Sequence, residues 1–534
     1  MSSLHIVSAK PSLLTDARIR AAYSEGAGIY RILPQAVAVP GSVAELAALL
    51  RWASDTRTPL VPRGAGSGMT GGNVGSGVIV DVSRRFRELT VDPARRLARA
   101  GASVTWAEVN AVARDFGLRL PPDPSSGAFA TSGGMASTNA AGPRSLRYGS
   151  VRRWIAAVEI VDARGEIRRV ARGAGWGMRD AFALAPDERR LIEARFPKTR
   201  KNSSGYALDA FAESGDELDL VIGSEGTLAF ITQIEWRLEP ILPDVAGVAL
   251  GFGELEALGD AVPYLLALNP SAVELLDRTI LSFVEEAGVS LPAGLACLLL
   301  VEFERETAAA ARGVVGDAVR GLKHLTAHVE TAVDRAGLER LWTVRTLASP
   351  VLARLSEPRR SLQVIEDGCV PIARLGEYVT EVRAAADRLG IPVVLFGHAG
   401  DGHVHVNTLP DVSRAGWEDS VRGLYDAVAE LQVRLGGTPS GEHGDGRLRA
   451  GLLERVYGPE LVAAFQRIKR AYDPLEILNP GVILPAADWA PLADLKVGAG
   501  AAPIPDDIAS RLRELERTAG WATPKASLAE SPGP

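Results

Sequence analysis

The chain runs to 534 residues, 46% hydrophobic and 23% charged, with a formal net charge of −6. These totals exclude a fibrous or disordered protein and carry no electrostatic footprint for nucleic acid; at roughly 150 residues per domain they predict three or four units. Only two cysteines occur, Cys297 and Cys369, which excludes a disulfide scaffold, a cysteine-ligated zinc site and an intrinsic iron–sulfur cluster.

No apolar run approaches the ~20 residues a bilayer-spanning helix needs, and residues 1–10 lack the basic start and apolar core of a secretion signal. A cytoplasmic protein without a transmembrane segment is expected; attachment to a membrane surface stays open. Residues 1–34 read as a helical entry. From 35 to 240 short β-branched strands alternate with helices, an α+β pattern. Residues 43–53 are apolar at helical spacing behind the N-cap candidate Ser42, and 105–115 repeat the design, while 89–92, 97–104 and 158–162 are strand-like. Residues 241–485 read as a second α+β unit, with strands at 296–303 and 392–396 and helices at 307–320 and 377–388. From 486 to 534 the texture turns to Ala, Pro and Gly around one charged helix near 508–517, which predicts a linker and a weakly ordered tail.

Within the first unit, Val61-Pro-Arg-Gly-Ala-Gly-Ser-Gly-Met-Thr-Gly-Gly-Asn-Val-Gly-Ser-Gly77 sets seven glycines between two short apolar runs. A Rossmann loop would need a helix directly behind it. Residues 69–77 cannot propagate one, because each glycine costs about 1 kcal/mol against Ala, and the strand-like stretch 78–82 follows at once. The loop therefore joins two strands and offers successive backbone N–H groups to phosphate oxygens with no Cβ in the way; a plain glycine-rich hairpin is the alternative. Residues 121–142 hold almost no bulky side chain, so they should line something flat and large, and 222–231 add a tight turn around Glu225.

Taken in order, Arg63-Gly-Ala-Gly-Ser-Gly68, Pro122-Asp-Pro124, Thr131-Ser-Gly-Gly-Met-Ala-Ser-Thr-Asn-Ala-Ala-Gly-Pro-Arg144, Arg147-Tyr-Gly149 and Gly223-Ser-Glu-Gly-Thr-Leu228 closely resemble the FAD domain of the vanillyl-alcohol oxidase and p-cresol methylhydroxylase (PCMH) type. The resemblance covers about residues 35–485. It implies an α+β fold: a two-subdomain PCMH-type FAD-binding domain over 35–240, then an α+β FAD-linked oxidase C-terminal domain for substrate and metal over 241–485. It further implies pyrophosphate on the first loop and the flavin ring beside the second. The residues it places at the cofactor are Pro62, Arg63, Gly64, Ala65, Gly66, Ser67, Gly68, Gly71, Pro122, Asp123, Pro124, Ser132, Gly133, Gly134, Ala136, Ser137, Asn139, Ala140, Gly142, Glu225, Ile231 and Asn479. Members that tether the flavin through the first loop carry His near its end; Ser67 there implies non-covalent FAD.

Four of the seven histidines fall between 398 and 443. Phe396-Gly-His-Ala-Gly-Asp-Gly-His-Val-His-Val-Asn407 reads as strand, turn, strand, which puts His403, His405 and Asn407 on one face by the period of two. Ser440-Gly-Glu-His-Gly-Asp-Gly446 sets a carboxylate beside a fourth imidazole. Two imidazoles and a carboxylate suit zinc or a similar divalent ion with positions open for substrate; hydrogen-bonded histidines around two turns are the alternative.

These stretches are similar to the C-terminal half of D-2-hydroxyacid dehydrogenases, a branch with D-lactate and D-2-hydroxyglutarate enzymes and glycolate oxidase flavin subunits. The resemblance implies His398, His405 and Glu442 as metal ligands, Asn407 and His443 as a substrate-facing pair, and Arg345 as the grip on the substrate carboxylate. His403 stands where Asn is usual. Ile365 and Glu366 stand where relatives acting on a dicarboxylate carry Lys, which turns the expectation from 2-hydroxyglutarate toward a lactate- or glycolate-like acid. Arg359 and Arg360 read as solvated surface charges in preference to a substitute for that Lys.

The expected reaction passes the C2 hydrogen to flavin N5 as hydride while the metal lowers the hydroxyl pKa. His443, with the ordinary imidazole pKa near 6.5, is the expected general base. The rivals are a non-redox flavoprotein transferase resembling alkylglycerone-phosphate synthase, and the flavin subunit of a multi-subunit oxidase complex. The sequence leaves open the electron acceptor (quinone, cytochrome, iron–sulfur partner or oxygen) and homodimer formation.

Overall fold

The computed structural model describes residues 11–175 and 182–530; the start of the expected helical entry and the end of the expected tail lie outside them. Ser42 caps the helix Val43–Thr56 by accepting from Glu45 N, and the buried stripe Leu46, Leu49, Leu50 and Ala53 packs on Leu60, Val78 and Val80. Thr105 and Glu108 close a capping box at the head of Trp106–Arg114. No helix among the described residues is long and apolar enough to cross a membrane.

A three-stranded parallel sheet orders Ala36–Ala38, Val78–Asp81, Leu60–Arg63. Neighbouring parallel strands need a crossover of a dozen or so residues, usually a helix; between Leu60–Arg63 and Val78–Asp81 the glycine loop does that job. A five-stranded antiparallel sheet follows, in the order Leu89–Asp92, Leu97–Gly101, Phe230–Arg237, Ile155–Val161, Ile167–Ala171.

The largest sheet has seven antiparallel strands, ordered His328–Ala332, Asp244–Phe252, Cys297–Arg305, Ala272–Asp277, Val393–Gly397, His403–Thr408, Gly368–Cys369. The first five residues of its strand Cys297–Arg305, Cys-Leu-Leu-Leu-Val, are continuously apolar because both faces are covered. Leu298 and Leu300 join the core shared with Ile280 and Leu341, while Leu299, Val301 and Phe303 join the one shared with Val315 and Val382.

Two features depart from the sequence reading. After the histidine-rich turns the chain returns to the first half: Leu453, Tyr457, Leu461 and Phe465 share a core with Leu228, Ile234 and Trp236, so packing crosses the expected division at 240. The expected weakly ordered tail is instead packed, because Ile508, Leu512 and Leu515 form one stripe of the helix Asp506–Thr518 and bury against Tyr23, Val61 and Ile79.

Glu225 ties the turns together. Its Oε1 accepts from Asp445 N (2.8 Å) and Gly446 N (3.0 Å), and Asn479 Nδ2 donates to both Gly72 O and Glu225 O at 2.8 Å. Burial, with Asp445 adding to it, pushes the Glu225 carboxyl up to about 8 against the lowering effect of those backbone donors. The folded state therefore keeps a proton that the unfolded chain loses above the ordinary value of 4.5, so this group's stabilisation is complete below that pH and disappears as pH rises through about 8. Glu225→Gln should gain on wild type by a few kcal/mol between pH 5 and pH 8, since each tenfold change in proton affinity on folding is worth ~1.4 kcal/mol. Denaturation midpoints at the two pH values check this; an offset independent of pH would contradict it.

Candidate active site

A cavity of about 840 Å³ runs from the glycine loop to the histidine cluster, within the rough 300–1,000 Å³ range of ligand sites. Residues 62–68 line one end, joined by Asp123, Pro124, Gly133, Gly134, Ser137, Ala140, Glu225 and Ile231; Arg345, His405, Asn407, Glu442 and His443 line the other. Of the residues placed at the cofactor or metal by resemblance, Gly71, Pro122, Ser132, Ala136, Asn139, Gly142, Asn479 and His398 are not in its wall.

Several of these shape the layer behind the wall. Asn139 is the left-handed cap of the helix Ser132–Thr138, Ser132 Oγ accepts from the buried Trp236 indole at 3.3 Å, and a Cβ on Gly142 would stand 2.2 Å from Asp123 O. Arg63 is in the wall but braced from behind: its guanidinium donates to Tyr23 O (3.1 Å) and Glu25 O (2.7 Å).

The pairing of Val393–Gly397 with His403–Thr408 sets His405 opposite Phe396 and Asn407 opposite Val394, with His398 just beyond the first strand. His398 Nδ1 lies 2.7 Å from Glu274 Oε1 and its Nε2 3.1 Å from Glu442 Oε1; His405 Nδ1 lies 2.9 Å from Glu366 O and its Nε2 3.5 Å from the same Glu442 oxygen. Each ring gives Nδ1 to an acceptor behind it and turns Nε2 toward one carboxylate, the disposition of metal-ligating imidazoles. Ligand atoms of His398, His403, His405 and Glu442 lie within 4.8 Å of one another, as do those of Glu366, Asp367, His405 and His443. The donor set fits a divalent ion. Both nitrogens of His403 are otherwise engaged, Nε2 at 2.8 Å from Asp367 Oδ1 and Nδ1 at 3.5 Å from Lys201 Nζ, and burial pushes this imidazole down to about 4.

His443 differs from the sequence expectation. Burial would lower it, but Glu366, Asp367 and Glu442 outweigh burial and carry the imidazole up to about 10, with Nδ1 2.8 Å from Glu366 Oε2. In this field it holds two protons at neutral pH and accepts none. Asn407 Oδ1 accepts from Ser361 Oγ at 3.2 Å, while its Nδ2 is buried with no partner among the described residues. Arg345, on the helix Arg335–Ala353, donates from Nε to Glu274 (2.9 Å) and lies 5.0 Å over the Phe396 ring. Arg360 is no solvated charge: it lines the cavity and its Nη2 lies 2.6 Å from Glu516; Arg359 is exposed.

Sequence reasoning missed the partners. Lys201 Nζ donates to Glu442 Oε2 at 2.7 Å from the other half of the chain. Arg449 bonds Glu366 (2.6 Å) and Asp367 (3.2 Å). The signal was the adjacent acidic pair Glu366 and Asp367 inside an otherwise apolar stretch, since buried carboxylates demand partners. Nothing local marks Lys201 or Glu274.

Residues 34–171 match the family model for an FAD binding domain, and residues 243–483 that for the C-terminal domain of FAD linked oxidases. The chain is 33% identical to a D-lactate dehydrogenase of Archaeoglobus fulgidus over 84% of its own length and 91% of that protein. It is 29% identical to glycolate oxidase subunit GlcD of Bacillus subtilis (85% and 89%). A D-2-hydroxyglutarate dehydrogenase of Escherichia coli is 30% identical over 86% of this chain but 49% of that protein, so the chain spans about half that relative's length. Solved structures of an alkyldihydroxyacetonephosphate synthase (16% identity, TM-score 0.63, 88% of this chain and 83% of that one) and of 4-ethylphenol oxidase from Gulosibacter chungangensis (15%, 0.63, 89% and 94%) share the fold. With an FAD-binding domain leading into an oxidase C-terminal domain and relatives of this kind along most of its length, the chain belongs to the FAD-linked oxidoreductases of the vanillyl-alcohol oxidase and p-cresol methylhydroxylase type, in the D-2-hydroxyacid dehydrogenase branch.

Proposed function

We propose that the protein oxidises a D-2-hydroxy acid with a single carboxylate, lactate- or glycolate-like, to the 2-oxo acid, using non-covalent FAD and a divalent ion such as zinc. The observation that carries this is the continuity of one cavity from the glycine loop to Arg345, His405, Asn407, Glu442 and His443. FAD, when bound, supplies the hydride acceptor. A divalent ion held by His398, His405 and Glu442 would polarise the substrate hydroxyl and offset the carboxylate field on His443.

Arg345 binds the substrate carboxylate through the guanidinium edge that Glu274 leaves free. Asn407 donates to a substrate oxygen from its unpartnered Nδ2. His443 keeps Nδ1–H on Glu366, which orients the ring and leaves Nε2 to take the hydroxyl proton once the field is offset. The Glu366 carboxylate in the cavity wall repels a second substrate carboxylate, and the D-lactate relative favours the same class. Ser67 in the first loop favours FAD held without a covalent bond.

Mixing the yellow protein anaerobically with D- and L-2-hydroxy acids should bleach the flavin with a D-monocarboxylate; colour that persists with every acid would sink the proposal in favour of non-redox chemistry. His443→Ala should keep its FAD and lose about 10²–10⁴-fold in turnover, the usual worth of a positioned acid or base; turnover near wild type would remove His443 from proton transfer. A chelator should abolish activity without releasing FAD, and added zinc should restore it. Full activity in metal-free protein would end the case for an ion.

A further inference from the structure

The C-terminal segment lies beyond residue 483, where the matched oxidase domain ends, yet it forms part of the cavity wall through Arg513, Glu516, Arg517, Thr518, Ala519 and Trp521. It is fixed at both ends. On the flavin side Ile508, Leu512, Leu515 and Leu528 pack with Tyr23 and with Val61, which leads into the glycine loop, and Arg18 Nε donates to Ala529 O at 3.0 Å. On the substrate side Glu516 is caged by Arg360 (2.6 Å), Arg513 (3.1 Å) and Lys496 (3.4 Å), and Arg513 Nη2 donates to Leu355 O at 3.1 Å. The segment thus straps the two halves across the cavity.

Behind that strap the charges are unbalanced. Lys525 is only 4% exposed; its one hydrogen bond among the described residues is a long one to Thr523 O at 3.3 Å, and its ammonium lies 5.1 Å over the Trp521 ring. The neighbouring cation is Arg63, equally buried, and the one carboxylate facing both is Asp81, already engaged by Tyr23 Oη and Ser83 Oγ at 2.6 Å each. The other carboxylate acting on Arg63, Glu25, is held by Arg31 at 2.6 Å, so among the described residues the two buried cations face only carboxylates already committed elsewhere and, beside a loop built to receive phosphate, lack an anion of their own. Burial and Arg63 together push Lys525 down to about 7, a value an anion nearby would raise.

We propose that residues 506–529 are a clamp on the bound dinucleotide: Trp521 closes the wall over it, Lys525 and Arg63 supply positive charge behind its pyrophosphate, and caged Glu516 latches the strap to the substrate half. The proposal rests on the FAD reading. By reciprocity, whatever docks the strap tightens the cofactor, and the cofactor docks the strap.

The test follows FAD release from the holoenzyme by recovery of flavin fluorescence on dilution, with thermal melting of the apoproteins as a folding control. Lys525→Met should release FAD about tenfold faster, a change worth ~1.4 kcal/mol, while its apoprotein melts like wild type; Trp521→Ala and Glu516→Gln should also release FAD faster, but with lower apoprotein melting, because one empties a buried ring site and the other leaves Arg360, Arg513 and Lys496 without their carboxylate. Lys525→Arg, which keeps the charge, should restore slow release. Equal release rates in FAD-bearing wild type and variants overturn the clamp alone. Faster release in Lys525→Met that Lys525→Arg fails to rescue removes the charge from the clamp and overturns it as stated. A wild type that binds no FAD overturns the flavin reading, and the clamp with it.

Discussion

Four carboxylates, Glu274, Glu366, Asp367 and Glu442, sit almost out of reach of water in one region of the molecule, and a buried ionised carboxylate is tolerated only when cations and donors surround it. The partners come from distant parts of the chain. Lys201 reaches Glu442 from the flavin half, Arg345 reaches Glu274 from a helix over the large sheet, and Arg449 reaches Glu366 and Asp367 from the segment that returns to the first half. Asp367 also accepts from Glu442 N and His443 N, so the turn carrying both residues is shaped by a carboxylate in a separate turn. Removing one cation would leave a charge stranded in low dielectric, which is why these elements have little freedom to move apart.

What the sequence made legible follows from how locally each feature is encoded. Ser42 and Thr105 cap helices at the places their spacing indicates, because a cap needs only the next three residues. The shared face of His405 and Asn407 is a consequence of strand period alone. Lys201 and Glu274 were invisible because their roles depend on long-range pairing, and a Lys in the basic, polar run Lys198-Thr-Arg-Lys-Asn-Ser-Ser204 looks like surface. The tail was misread for the opposite reason: its Ala, Pro and Gly texture masked a short apolar stripe, Ile508, Leu512 and Leu515, whose partners lie almost the whole chain away.

The residues that motif similarity placed at the cofactor separate into two layers. Residues of the 62–68 loop reach the cavity, whereas Asn139 caps the helix Ser132–Thr138, Gly142 lets the chain pass close to Asp123 O, and Asn479 holds Gly72 of the glycine loop. A short motif records both layers without distinguishing them, since a glycine that must pass close to Asp123 O and a glycine that must face a phosphate leave the same letter. Arg63 belongs to both, lining the cavity while its donors stitch Tyr23 and Glu25 behind it.

Charge also bears on what the site accepts. With Asp401, which shares Lys201 and also meets Arg200, five carboxylates against Lys201, Arg345, Arg449 and Arg200 leave one negative charge, and the second proton on His443 meets it. Under the proposed function a divalent ion would turn the balance to one positive charge with a neutral His443, the form that can take a proton. One substrate carboxylate then closes the balance, whereas a second would be uncompensated. Among buried groups such imbalances are poorly screened, so under the proposed function these charges favour a substrate with a single carboxylate.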